Sequence, residues 1–265
     1  MTPRPDPSPL AMFDLTGRRA LVTGARRGIG RAIALAFAAQ GAHVAIHHAD
    51  TQQERQDAES VLAAICEGNG TAQLFAANFE PAGAGAQLAA AVTAAFGHID
   101  ILVLNASIEL LEEYDEIPTE SFDRQIAVNL RAPLELVQAL LPGMKQRGWG
   151  RVLAIGSVQQ LKPHPQMLIY AGTKSAQMNW VRNLARHVGP HGVTINNLAP
   201  GVIFTARNAP RLSEPAHRER TEQRIPLGRL GSPKDLVGAA LLLCSDAGSY
   251  INGANLVVDG GFSVA

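Results

Sequence analysis

Cysteine is nearly missing from this chain, with Cys66 and Cys244 the two in 265 residues. They stand far apart, match no metal-ligand or redox spacing, and read as buried free thiols of a reducing compartment. Net charge is missing as well, since Lys plus Arg and Asp plus Glu both number 23. With no basic block in the sequence, nucleic acid and anionic membrane surfaces are poor partners. Nor is there an apolar run long enough to cross a bilayer, and the N-terminus has no hydrophobic segment of the signal-peptide kind. These absences leave a cytoplasmic protein acting on a small molecule as the expectation.

What is present is an apolar fraction of 46% against 17% charged residues, enough to bury the core of one α/β domain. Residues 1–12 carry Pro3, Pro5, Pro7 and Pro9 and read as a flexible tail ahead of a single domain, 13–265. Strand signals at about 19–23, 43–47, 72–76, 100–104, 151–156, 193–197 and 255–258 alternate with helical stretches. That alternation predicts an α/β Rossmann fold, a seven-stranded parallel sheet with helices on both faces. The clearest helices are 84–96, 119–147 and 170–189, the second interrupted by Pro133 and Pro142, where a kink or break is expected. Between Thr205 and Arg229 the chain is polar and proline-punctuated. It reads as a mobile flap over a substrate or as an inert surface insertion.

Two local patterns carry chemistry. The first strand signal runs into Gly24-Ala25-Arg26-Arg27-Gly28-Ile29-Gly30, and an alanine-rich amphipathic helix follows. Glycines let the backbone turn tightly and approach a pyrophosphate, while free amides and the helix dipole meet its charge. The second pattern is Tyr170-Ala171-Gly172-Thr173-Lys174, which sets a phenol and an ammonium on one helical face. A phenol titrates near ~10, so it exchanges protons at neutral pH only with help, and Lys174 is placed to favour the phenolate. Ser157 ends the strand signal before it, at the strand's carboxyl end, where open α/β sheets hold their ligands. Taken alone, the Tyr170 and Lys174 spacing is more often that of a surface pair on an ordinary helix.

The patterns in series resemble the short-chain dehydrogenase/reductase family. They are Thr23-Gly24 with Gly28-Ile29-Gly30, Asn105-Ala106-Ser107, Asn129, Ser157, Tyr170, Lys174 and Pro200-Gly201, in order and in register from about Leu15 to Phe262. The resemblance implies an oxidoreductase interconverting a carbonyl and a secondary alcohol, with Tyr170 as the general acid/base. Lys174 is implied to bind the nicotinamide ribose and bias Tyr170, Ser157 to hold the substrate oxygen, and Asn129 to order a water connecting Lys174 to solvent. Without the family, Asn129 reads as a helix amide bonded to backbone. The backbone at Ile203 and the hydroxyl of Thr205 are implied to fix the nicotinamide carboxamide, and Asn105 and Ala106 to pass close to the ribose. Ser107 replaces the usual glycine, and Asn78-Phe79 stand where an acidic-apolar pair commonly faces the adenine. A homotetramer is also implied.

An NAD-preferring member has an acid at the end of the second strand, where this chain has His48. Arg26 and Arg27 lie within reach of a 2′-phosphate, so NADP(H) is expected over NAD(H), with Asp50 folding back toward the ribose as the competing arrangement. His47, His48, His187 and His191 are placed poorly for a metal, and none is expected. Gln159, Gln160, His164 and Glu109 make the substrate walls polar, pointing to a small ketone, sugar acid or polyol. A 3-oxoacyl-[acyl-carrier-protein] reductase is the main alternative. A cofactor-binding sensor or a scaffold without turnover is a further one, disfavoured by the presence of Ser157, Tyr170 and Lys174 together.

Overall fold

In the computed structural model, which describes residues 8–265, the short apolar runs become seven strands. These are β1 Arg19–Val22, β2 His43–His48, β3 Thr71–Ala76, β4 Ile101–Leu104, β5 Gly150–Ile155, β6 Val193–Pro200 and β7 Asn255–Val258. Every neighbouring pair is parallel, in the order β3-β2-β1-β4-β5-β6-β7. Because successive strand side chains alternate in direction, the sheet supplies two cores. Leu21, Leu102, Val152 and Ile195 pack with α3 (Ala84–Phe96), α5 (Ala132–Arg147) and α6 (Leu168–Val188). Ala20, Val22, Val44, Ile101 and Leu153 pack on the other face with α1 (Gly28–Ala39), α2 (Gln52–Glu67) and α9 (Val237–Cys244). The chain leaves β1 toward β2 and β3, then returns to β4 on its far side. That reversal opens a crevice at the carboxyl ends of β1 and β4, where ligands of such sheets bind.

Three expectations need adjusting. The expected tail, 1–12, lies mostly outside the described residues, and within them Ala11–Phe13 forms a 3-10 turn. The expected 119–147 helix is three pieces: α4 (Thr119–Ile126), a π-helical turn at Ala127–Arg131, and α5. The break precedes Pro133, which has no N–H to give to the carbonyl four residues back, while Pro142 sits inside α5 without ending it. The segment after Thr205 holds α7 (Ala209–Leu212) and α8 (Pro215–Gln223), and Leu212 and Ile225 bury with Val158, Leu230 and Phe262. It is thus anchored by its own small core. Among the described residues, no helix is long and apolar enough to cross a membrane.

Candidate active site

Between β1 and α1, Gly24 and Gly28 take φ of +63° and +58°, backbone that other residues reach only with strain. The Gly24 N–H donates to Nδ1 of His47 at 3.0 Å, and the His47 Nε2–H donates to the Ala77 carbonyl at 3.1 Å. Accepting and donating at once requires a neutral ring, and burial, opposed by the Ala77 bond, pushes its pKa down to about 4. His47 also stacks on Phe79 with ring centroids 4.3 Å apart. Beside it, exposed Asn78 accepts from the Glu80 N–H through Oδ1 at 3.0 Å.

Asn105 closes the other side of the loop. Its Nδ2 donates to the Thr23 and Gly24 carbonyls at 2.8 and 3.0 Å, and the amides of Asn105 and Ala106 donate to Thr23 Oγ1 at 2.9 and 3.0 Å. A Cβ at Gly30 would lie 2.5 Å from Asn105 Nδ2, so this packing requires glycine. The Asn105 side chain is therefore spent on shaping the loop. Helix α1 starts with Arg27 at its N-cap and, among the described residues, has no side-chain cap or first-turn acid. Its leading amides and dipole fit a pyrophosphate. The Thr205 methyl would stand 3.5 Å from a Cβ at Gly28, so the loop after β6 borders the same place.

The two arginines expected within reach of a 2′-phosphate differ in their surroundings. Arg26 is held by two carboxylates of α2, Glu54 at 2.8 Å and Asp57 at 2.6 Å. Arg27 pairs with no carboxylate among the described residues, and burial first, then the charge of Arg26, lowers its guanidinium pKa. His48 is buried at the end of β2 and donates from Nδ1 to the Ala49 carbonyl at 2.8 Å. The acid that returns to this strand end is Glu54, whose Oε2 accepts from the Ala49 N–H at 2.9 Å. Its signal in the sequence is a cap: Thr51 precedes α2 and accepts from the Glu54 N–H at 3.3 Å.

Ser157 follows β5 and caps the next turn, its Oγ accepting from the Gln159 N–H at 3.2 Å. Gln159 Oε1 accepts from the His164 N–H at 2.6 Å, and His164 Nδ1 accepts from the Gln166 N–H at 3.3 Å. These two expected substrate residues thus hold their own loop. Tyr170 and Lys174 lie buried on the first turns of α6, with Nζ 5.6 Å from the phenol ring centroid. Burial is the largest influence on both. It pushes Tyr170 up to about 12, opposed by the charge of Arg207 and the hydroxyl of Ser157, and pushes Lys174 down to about 7. In the free protein burial thus favours the phenol form, and the chief cation opposing it is Arg207 rather than Lys174, the residue expected to bias Tyr170 toward phenolate.

Arg207 belongs to the segment after β6 and crosses to the loop after β4. It donates to the Ser107 carbonyl at 2.7 Å and to Ser107 Oγ at 3.3 Å, with Glu109 3.9 Å away. Asn208 braces the near side, donating to the Ile203 carbonyl at 2.8 Å and accepting from the Thr205 N–H at 2.9 Å. Pro200 ends β6, and a Cβ at Gly201 would lie 2.6 Å from Asp259.

Asn129 is fully buried in the π-helical turn, and its side chain is consumed by backbone and a hydroxyl. Oδ1 accepts from the Ile108 N–H at 2.9 Å, and Nδ2 donates to the Ile108 carbonyl at 2.9 Å and Thr173 Oγ1 at 3.2 Å. The structure thus joins the loop after β4 to α6 through this amide.

Known proteins resemble the chain in both sequence and fold. A family model described as enoyl-(acyl carrier protein) reductase matches residues 24–263. A solved short-chain dehydrogenase/reductase from Serratia marcescens overlays 94% of the chain and 99% of its own, with TM-score 0.86 at 33% identity. The chain belongs to the short-chain dehydrogenase/reductase family. An L-rhamnose 1-dehydrogenase (NAD(P)(+)) of Azotobacter vinelandii is 38% identical over 94% of this chain and 98% of its own. A structure titled 3-oxoacyl (acyl-carrier-protein) reductase from Agrobacterium tumefaciens, with NADP bound, has TM-score 0.91 at 37% identity, covering 98% of this chain and 99% of its own. As a family member the protein is an NAD(P)-dependent oxidoreductase acting on CH–OH or C=O groups.

Proposed function

We propose that this short-chain dehydrogenase/reductase interconverts a ketone and a secondary alcohol on a small polar molecule, a sugar, sugar acid or polyol, using NADP(H) in preference to NAD(H). One observation carries the substrate reading: the charged pair Arg207 and Glu109, 3.9 Å apart, lies close enough to Tyr170 for both charges to act on it. Such a wall suits hydroxyl and carboxylate groups and penalises a buried acyl chain. The L-rhamnose 1-dehydrogenase relative and a gluconate 5-dehydrogenase of Gluconobacter oxydans, 35% identical over 96% of this chain and 98% of its own, lend it support.

The nicotinamide supplies or takes up the hydride when bound. The free amides of α1 and the Gly24 to Gly30 loop would hold its pyrophosphate, Arg27 its 2′-phosphate, and Lys174 its ribose. Thr205 and the backbone at Ile203 would hold the carboxamide. Tyr170 donates its phenol proton to the carbonyl oxygen in reduction and, as the phenolate that the charge of Arg207 favours, takes that proton back from the alcohol in oxidation. Ser157 holds that oxygen with its hydroxyl. A panel of sugars, aldonates, polyols and 3-oxoacyl thioesters, followed by NADPH absorbance with Tyr170→Phe as the control, tests the reading. Turnover confined to the thioesters would replace the substrate class with that of the carrier-protein reductase, and undiminished turnover in the Tyr170→Phe protein would remove the acid/base role. A homotetramer belongs to the same reading and is checked by gel filtration with light scattering.

A further inference from the structure

The Asn129 carbonyl needs a hydrogen-bond donor that its own helix does not give at the usual place, because the residue four positions on is Pro133. Gln177 supplies it from α6: Nε2 donates to the Asn129 carbonyl at 2.5 Å. That bond fixes which way the amide faces, since only its nitrogen can donate. Its oxygen therefore points at Lys174 and accepts from Nζ at 3.2 Å. The remaining protein partner of Nζ is the Ile155 carbonyl, at 2.7 Å. All three side chains involved, Asn129, Lys174 and Gln177, are 3% exposed or less.

We propose that Gln177 is a positioning residue that ties the Lys174 ammonium to the Asn129 carbonyl through its side-chain amide and thereby keeps that ammonium charged in a buried site. The inference rests on the reading of Lys174 as part of the catalytic set, but its main test needs neither substrate nor cofactor. An acceptor facing a buried cation favours the charged form, and its removal shifts the equilibrium toward the neutral amine. The other charged or titratable groups that act on Lys174 are Arg207 on the segment after β6, which lowers its affinity for the proton, and Glu109 on the loop after β4, which raises it, with Tyr170 on its own helix. Among the described residues, the hydrogen-bond acceptors of Nζ are the Ile155 carbonyl of β5 and Oε1 of Gln177 on α6, which links it to the π-helical turn.

The chain has only four lysines, Lys145, Lys162, Lys174 and Lys234, so a protein labelled with carbon-13 at lysine Cε gives a spectrum in which Lys174 is assigned by its loss in Lys174→Arg. Titration of the free protein is expected to place the Lys174 midpoint lower in Gln177→Met than in the unaltered chain. Gln177→Asn, polar but one methylene too short to span both partners, is expected to behave like Gln177→Met and serves if the methionine protein does not fold. Gln177→Glu keeps an acceptor toward Nζ and is expected to hold the midpoint at or above its original place. A Lys174 midpoint that stays put in both the Met and Asn proteins, or that moves down equally in Gln177→Glu, overturns the proposal. Those results leave the assigned reaction untouched, since that is read separately from turnover of the Tyr170→Phe protein.

Discussion

Arg26 donates to Asp57 at 2.6 Å while its other nitrogen reaches Glu54 at 2.8 Å, so its charge is already matched within the fold. Arg27, next to it, has no such partner among the described residues. Discrimination between the two nicotinamide cofactors is therefore expected to rest on Arg27. Arg27→Ala should cut kcat/KM with NADPH roughly tenfold or more, the usual worth of a hydrogen bond to a charged group, and leave NADH nearly unchanged. Glu54→Gln with Asp57→Asn should release Arg26 and raise the NADPH to NADH ratio. Steady-state kinetics with both cofactors reads each result, and equal losses with the two cofactors in Arg27→Ala would remove the arginine from 2′-phosphate binding.

The strands were legible because each is a short apolar run bounded by polar or glycine residues, and the ends moved by only a few positions. Strand β6 runs three residues past its expected end because Leu198 to Pro200 continue to pair with β7. Side-chain roles were harder to see, since they depend on contacts distant in sequence. Gln177 looks like any helix amide until α6 is packed on the π-helical turn, although its place three residues after Lys174 and the proline four after Asn129 were both visible. Arg207 is one polar residue in a polar segment, and only the fold brings it to Ser107. The spacing of Tyr170 and Lys174 does not reveal that both are buried, which favours the uncharged form of each, nor that Arg207 is the chief cation acting on Tyr170.

Ser157→Ala should lower kcat for reduction by roughly 100-fold, the usual effect of losing one donor to the reacting oxygen, with the cofactor dissociation constant unchanged. Rapid-mixing absorbance and fluorescence titration separate the two quantities. An unchanged kcat would take Ser157 out of the reaction.

His47 makes the fold sensitive to acid. The folded ring binds a proton only near pH 4, whereas in the unfolded chain it binds one near 6.5, so between those values the unfolded state holds more protons. Stability is thus expected to be fully present above about pH 6.5 and to decline as pH falls toward 4, by up to about 3 kcal/mol from this residue. His47→Leu should flatten that part of the profile and lower stability at pH 7, because the Gly24 N–H loses its acceptor. Urea unfolding at several pH values tests this. An equally steep acid decline in the variant would assign the effect to other groups.

Ser107→Gly removes one of the two acceptors for Arg207 and should speed proteolytic nicking between residues 205 and 229 severalfold, with little change in melting temperature. Limited trypsin digestion, with and without NADPH, provides the comparison. Identical cleavage rates would show that the segment is held by its own core alone.

The contact between Arg207 and Ser107 joins the two lips of the cleft, one lip following β4 and the other following β6. Parting of that clasp is expected to accompany the departure of a bound molecule, so egress is expected to compete with bond-making for control of the turnover clock. A deuterium label on the transferred hydrogen would then slow single turnovers far more than the steady state.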